Sequence, residues 1–375
     1  MHAATILAQL DHVTDPSTGG LVPSIHPGVT HARPGSAIAA GYARSGNSGA
    51  ALVESILCQL EKGAAAAAFG AGAAAAQAVL ASLQPGDRVL VDTGLYYEFG
   101  RMIWAFAERF GLDMVRVDLC DLEGVARSMG VAATRLVWAE CPSNPLWRVP
   151  DLAALAALAH RHGARLLVDA TAATPVHCRP LTLGADLVLH SATKYLNGHG
   201  DVVAGALVAA AEDAWWREML TAREMHGSIL PPFEAWLLLR GMRSLALRME
   251  RVSATAQTLA GWLARHPRVG KVHYPGLPQH PQHELACRQF RDGFGGMLSF
   301  ELGDAAEAID LCARARIFRR STSLGSPESL IEHRRSTEGE RSDCPPGLVR
   351  LSVGLEHPDD LLADLAEMLC PAGRP

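Results

Sequence analysis

Charge is scarce in this chain. Charged residues make up 19% of its 375 residues and the formal net charge is -5, so the basic stripe of a nucleic-acid-binding surface is missing. No apolar run approaches the ~20 residues of a membrane-crossing helix. The opening residues, Met1-His2-Ala3-Ala4-Thr5, lack the basic and then apolar pattern of a secretory signal. Eight cysteines are present but none forms a C-x-x-C pair. Scattered through apolar stretches, they suit a reducing cytoplasm better than a disulfide framework. The 16 histidines are scattered too, and His160 with His162 reads as an exposed helix end, not a metal site. No internal repeat is seen. The expectation is a cytoplasmic protein with a small-molecule partner, and no nucleic acid, membrane or metal.

Hydrophobic residues make up 49% of the chain, enough for large cores in two or three domains. Residues 1–50 are rich in Gly, Pro, Ser and Thr and read as an extended arm. Beyond residue 52, short apolar runs at 88–92, 114–118, 136–139, 166–169, 187–190 and 204–209 alternate with segments of helical period such as 73–83 and 152–162. That alternation predicts an α/β fold, a mostly parallel sheet with helices on its faces, over residues 51–245. A long Leu- and Arg-rich helix over 231–258 follows. Strands near 269–272, 297–302 and 349–353, with helices near 305–315 and 359–369, then predict a smaller C-terminal α+β domain over 246–375.

The chemistry centres on Leu187-Val188-Leu189-His190-Ser191-Ala192-Thr193-Lys194-Tyr195. An apolar run that reads as a buried strand ends at a lysine. Desolvation favours the neutral amine, which can condense with an aldehyde. Ser191 and Thr193 are two residues apart and point the same way in extended chain, convenient for one phosphate. This reads as the imine lysine of a pyridoxal 5'-phosphate (PLP) enzyme, against the plainer reading of a surface lysine at a strand end.

The other parts of such a site can be sought independently. Asp169 closes the strand Arg165–Asp169 and could hold the pyridine nitrogen protonated; a helix-capping role is the alternative. Gly72 and Ala73, in Gly70-Ala71-Gly72-Ala73, lead into a helix whose free N–H groups could cradle phosphate. Tyr96 could stack on the ring and exchange a proton, although Tyr97 beside it could serve instead. Asn144, in Pro142-Ser143-Asn144-Pro145, could bond the cofactor's phenolic oxygen or merely start a turn. Arg350 is a charge inside an apolar strand, suited to a bidentate substrate carboxylate or to a structural ion pair.

A dinucleotide-binding oxidoreductase competes with this reading. Gly70, Gly72 and Ala75 fit G-x-G-x-x-A, and Asp92 follows at a strand end. Against it, the alanines at 64–68 read as helix-prone, not as the strand that such a loop follows, and Lys194 would have no role.

In order along the chain, these residues resemble the Cys/Met-metabolism PLP-dependent enzymes, the family of cystathionine γ-synthases, cystathionine γ- and β-lyases and methionine γ-lyase. The matching stretches include Tyr42-Ala43-Arg44-Ser45-Gly46-Asn47, Leu95-Tyr96, Pro142-Ser143-Asn144-Pro145, Ser191-Ala192-Thr193-Lys194-Tyr195, Tyr274-Pro275-Gly276-Leu277, Ser323-Leu324-Gly325 and Leu348-Val349-Arg350-Leu351-Ser352. The resemblance implies fold type I, the aspartate-aminotransferase-like PLP-dependent transferase architecture. It makes Lys194 the Schiff-base lysine and Asp169 the pyridinium partner. Gly72, Ala73, Ser191 and Thr193 would hold the phosphate, with Tyr42 and Arg44 reaching in from a neighbouring subunit. A homodimer is then the minimum unit and a homotetramer the usual one. Tyr96 would stack on the ring, while Asn144, Ser323 and Arg350 would orient the substrate.

The activity implied is carbon–sulfur lyase chemistry on a cystathionine-like sulfur amino acid. Lys194, displaced by the substrate, would remove the Cα proton, and Tyr96 would protonate the leaving sulfur. The alternatives are γ-replacement on an O-acylhomoserine, as in a cystathionine γ-synthase, and a non-catalytic PLP-fold binding or regulatory protein. Several residues depart from the family pattern. Tyr97-Glu98 follows the stacking tyrosine, where Glu98 argues against the methionine γ-lyase type and brings a carboxylate to the substrate channel. Thr322 stands where many γ-specific members carry Glu, leaving β or γ preference open. Arg334-Arg335-Ser336-Thr337-Glu338-Gly339 replaces the Pro-Ala-Ser-Met-Thr-His type.

Overall fold

The computed structural model describes residues 1–32, 41–339 and 342–370, without the side chain of Glu98. Seven strands, β1 (Ala65–Phe69), β2 (Arg88–Asp92), β3 (Asp113–Val117), β4 (Leu136–Glu140), β5 (Arg165–Asp169), β6 (Leu187–His190) and β7 (Gly205–Ala209), form one sheet in the order β1-β7-β6-β5-β4-β2-β3. The pairs from β3 through β6 are parallel, while β7 runs antiparallel to both neighbours. Every residue of β4 and β6 is buried, as expected for central strands covered by helices on both faces. Reversals of strand order place ligands beyond the carboxyl ends of the strands. Asp92, Glu140, Asp169 and His190 close β2, β4, β5 and β6 at those ends.

A second sheet follows, with β8 (Lys271–His273), β9 (Met297–Glu301), β10 (Arg319–Arg320), β11 (Leu330–His333) and β12 (Leu348–Ser352) in the order β10-β11-β12-β9-β8. Its core gathers Val272, Leu298, Phe300, Ile331, Val349 and Leu351. The helix Leu245–Leu263 belongs to both cores. Leu245, Met249 and Val252 pack with the large-sheet side, and Ala256, Leu259, Ala260 and Leu263 with the small. The predicted α/β class, with a large mostly parallel sheet and a smaller α+β part, is what the structure contains.

Three local expectations fail. The alanines read as helix-prone at 64–68 are the strand β1, paired with β7 from Ala65 to Phe69. Tertiary pairing overrides the intrinsic preference of alanine, and small side chains suit a strand pressed by the helix Ser48–Glu61 on one side and the helix Gly72–Ala81 on the other. These alanines therefore do not count against a dinucleotide loop. The segment read as one helix over 231–258 is two, Pro232–Met242 and Leu245–Leu263. Ser244 interrupts it, donating from its hydroxyl to Gly241 O at 3.1 Å and accepting from Arg248 Nε at 3.0 Å, the local bonding by which serine competes with helix. Finally, the arm read as extended begins with a helix, Ala3–Gln9. Ala3, Ile6, Leu7 and Leu10 have helical spacing and are buried with Leu245 and Met249, each large side chain contributing about 1.5–3 kcal/mol.

Candidate active site

One cavity of about 250 Å³ lies beyond the carboxyl ends of the central strands, closed on its other side by the second sheet. Lys194 reaches it from the turn after β6. Its Nζ donates to Ser323 Oγ at 2.7 Å, and burial, assisted by the Arg350 charge, lowers its pKa below the usual lysine value. The turn is fixed from behind. Gly325, at φ +81, fits against it so closely that a Cβ would come within 2.7 Å of Tyr195 N. Buried Arg248 donates to Tyr195 O at 2.7 Å and to Gly241 O at 2.9 Å. The sequence reading missed this arginine. Its signal was a cation in line with the buried face of the helix, between Leu245 and Val252.

Asp169 enters the cavity from the end of β5 and accepts from Thr171 N at 2.9 Å. Burial raises its pKa, opposed by that hydrogen bond and by His190. Glu140, unassigned from the sequence, stands in register beside it on β4. It accepts from Tyr96 N at 2.7 Å, and burial with the charge of Asp169 pushes its pKa well up. Its signal was available, because three successive parallel strands each end in an acid. Thr171, also unassigned, accepts from Ser191 N at 2.8 Å and lines the cavity.

Gly72 opens the ten-residue helix Gly72–Ala81, whose first turn faces the cavity with Ala73 and Ser191. The approach is close, since a Cβ on Gly72 would lie 2.9 Å from Ser191 Cβ. Thr193 does not join this group. Its hydroxyl donates to Ala204 O at 3.1 Å and accepts from Ala204 N at 3.0 Å. It ties the lysine turn to the chain leading into β7.

Tyr96 caps the helix Tyr97–Phe110 and lines the cavity, as do Phe99 and Met102 from that helix. Across from it, Arg350 projects from β12. Its Nη2 donates to Ser323 O at 2.9 Å and its Nη1 to Asn144 Oδ1 at 3.3 Å, and it also pairs closely with Glu332. Arg350 thus faces the cavity and also sits in a structural ion pair. Ser323 is held at φ +81, an outlying backbone conformation of the kind that clusters at ligand sites. Thr322 is exposed and does not line the cavity. Tyr42 and Arg44 also lie outside it. Tyr42 is 43% exposed with the Arg44 guanidinium 5.2 Å above its ring. The side chain of Glu98 lies outside the described part of the structure.

An amine whose pKa burial lowers, an acid whose pKa burial raises, a glycine-lined helix start and a buried guanidinium thus share one space. The family described as "Cys/Met metabolism PLP-dependent enzyme" matches residues 5–370. The chain belongs to that family. It is 44% identical to a cystathionine gamma-synthase of Mycobacterium bovis over 95% of this chain and 93% of that one. It is 40% identical to an L-methionine gamma-lyase of Pseudomonas putida over 96% of each. The crystal structure of cystathionine gamma synthase from Xanthomonas oryzae pv. oryzae in complex with cystathionine superposes with a TM-score of 0.93 at 36% identity, covering 98% of each chain. The resemblance drawn from Tyr42 to Glu356 is borne out, fold type I with it, and the family's cofactor is PLP.

The site fits that cofactor. Asp169, whose ionised form burial disfavours, gains from a cationic ring nitrogen. The Gly72 cradle would be filled by a Cβ and suits a phosphate. The dinucleotide reading loses on this geometry, because β1 is an edge strand antiparallel to its neighbour β7 and Gly72 after it lines the cavity that Lys194 enters.

Proposed function

We propose that this enzyme breaks the carbon–sulfur bond of a cystathionine-like amino acid by elimination. The observation that carries the reading is the convergence of Lys194, Asp169 and Arg350 on one cavity. PLP bound there supplies an aldehyde for the substrate amine and a ring that spreads negative charge. Lys194 would hold the cofactor through its aldehyde and, when its amine is free, would accept the Cα proton at Nζ. Burial and the Arg350 charge lower its pKa, which favours the neutral amine that both tasks need. Asp169 holds the ring nitrogen protonated. Gly72, Ala73 and Ser191 bind the phosphate, with Thr193 bracing their loop. Arg350 receives the substrate carboxylate in the space it shares with Asn144 and Ser323. Tyr96, in the cavity lining, would stack on the ring and would deliver a proton to the departing sulfur. Tyr42 and Arg44, exposed and outside their own cavity, complete the site of a second copy. The working unit is therefore a homodimer at least, with a homotetramer as the expected assembly and the cytoplasm as its place.

Mixing the PLP-loaded protein with L-cystathionine and identifying the products by mass spectrometry tests this. Cysteine with 2-oxobutanoate means γ-elimination, and homocysteine with pyruvate β-elimination. Intact cystathionine beside an imine-bearing protein overturns the lyase reading. A second reading, γ-replacement on an O-acylhomoserine by a thiol, has its own support in the synthase names among the relatives above. Cystathionine formed from an O-acylhomoserine and cysteine would establish it. A binding or regulatory protein would exchange no α-proton on any amino acid.

A further inference from the structure

Behind the substrate-facing wall lies an arginine with no part in the scheme above. Arg334 follows β11 directly, is 1% exposed, and is absent from the cavity lining. Its Nε donates to Glu338 Oε1 at 2.7 Å and its Nη1 to Glu332 Oε1 at 2.9 Å. Its guanidinium carbon lies 5.5 Å from the centre of the Tyr96 ring, within reach of a cation–π attraction. The same Glu332 Oε1 pairs with Arg350, and Thr337 Oγ1 donates to Glu332 Oε2 at 2.8 Å. Two cations and two carboxylates thus form a charge-balanced quartet in the order Glu338–Arg334–Glu332–Arg350, with Arg334 touching Tyr96 and reaching Arg350 through Glu332.

Burying such a quartet is poor value for stability alone, since well-packed apolar side chains of similar volume commonly do as well or better. What the quartet gives is fixed geometry. A planar fork spanning two carboxylates leaves neither acid free to turn. With Glu332 held, Arg350 is kept facing Asn144 and Ser323. With a cation against one face, the Tyr96 ring is kept in one orientation. We propose that Arg334 is a positioning residue that sets Tyr96 and Arg350 together. This rests on the reading of those two as proton donor and carboxylate receptor.

The test uses PLP-loaded Arg334→Met, Arg334→Lys and Glu338→Gln, with two readouts. The first is the affinity for L-alanine, an amino acid with no leaving group, followed by the change in the imine absorbance. The second is kcat and KM for L-cystathionine. Arg334→Met is expected to weaken L-alanine binding about tenfold and to lower kcat about tenfold with PLP content unchanged, each equal to one lost charged contact. Arg334→Lys keeps a cation over the ring and is expected to recover most of kcat. Glu338→Gln loosens the fork without touching its charge, and covers the case in which the methionine variant fails to fold. It should move both readouts the same way by a smaller factor. Variants that shift only the melting temperature, with L-alanine affinity and kcat within twofold of the parent, overturn the proposal. If the parent does not turn over cystathionine, the elimination reading fails, and L-alanine affinity still decides whether Arg334 acts on Arg350.

Discussion

The two walls of the cavity treat buried charge in opposite ways. On the large-sheet wall, Asp169, Glu140 and Lys194 stand at or just beyond strand ends, and burial is the leading influence on each. It pushes the two acids up and the amine down, and a like charge adds to it for Glu140 and Lys194. On the small-sheet wall, Glu332, Arg334, Glu338 and Arg350 are buried as deeply but are paired. Even so, burial lowers the pKa of Arg350 to about 10, still far above neutrality, so it keeps its charge. The first wall therefore holds groups poised to exchange protons and to meet a charged cofactor. The second holds fixed charges that bind and orient. One is tuned for reactivity and the other for geometry.

The contrast can be broken most severely at Lys194. Lys194→Ala should remove the imine absorbance and lower turnover by about 10³-fold or more, the range for losing a catalytic proton acceptor. A variant that kept its visible band would place the imine elsewhere. On the other wall, Arg350→Met should leave that band intact and raise KM about 10²-fold, as expected for losing a bidentate charged contact. If instead kcat fell with KM unmoved, the two walls would not divide reactivity from binding as drawn.

A smaller effect is expected from backbone geometry. A Cβ on Gly205 would meet Ala71 O at 2.2 Å, so β7 and the start of the helix Gly72–Ala81 could not keep their spacing. Gly205→Ala should weaken PLP binding about tenfold and lower the melting temperature by several degrees, read by cofactor titration and thermal unfolding. The smallest effect sharpens the contrast by pH. Because burial raises the pKa of Glu140, the folded apo-protein holds a proton that the unfolded chain has already released. Its contribution to stability therefore falls as pH rises from the ordinary carboxylate range through the raised value. Glu140→Gln, whose amide oxygen can still accept from Tyr96 N, should raise the apo-protein's melting temperature by a few degrees at pH 8. The gain should vanish below the ordinary carboxylate range. A gain that did not depend on pH would show that packing, not ionisation, is responsible.

The parts of the site legible in the sequence share a form. Lys194, Asp169 and Ser191 follow apolar runs of strand length, and a polar residue at such an end has few other places to point. Gly72 and Ala73 were legible as a helix start although the strand before them was misread. Glu140 carried the same strand-end signal and was passed over. Thr171, Phe99 and Met102 had none, because nothing local separates a residue that lines a cavity from its neighbours one turn away. The bonds of Thr193 to Ala204 were not legible for a related reason. The spacing of Thr193 from Ser191 assumed extended chain, whereas residues 192–196 form a turn that hands its hydroxyl to Ala204.

The sequence by itself determined the alternation of strand and helix, the lysine just after β6, the acid at the end of β5 and the kinship with PLP enzymes of sulfur amino acid metabolism. These rest on local periodicity and on ordered motifs, which neighbouring residues carry without help. Only the tertiary structure decided that four alanines and a phenylalanine make an edge strand, that Ser244 splits a helix, and that Arg334 joins Tyr96 to Arg350 through Glu332. Each of those depends on partners brought from distant points of the chain, and no local pattern records which carboxylate a buried cation will meet.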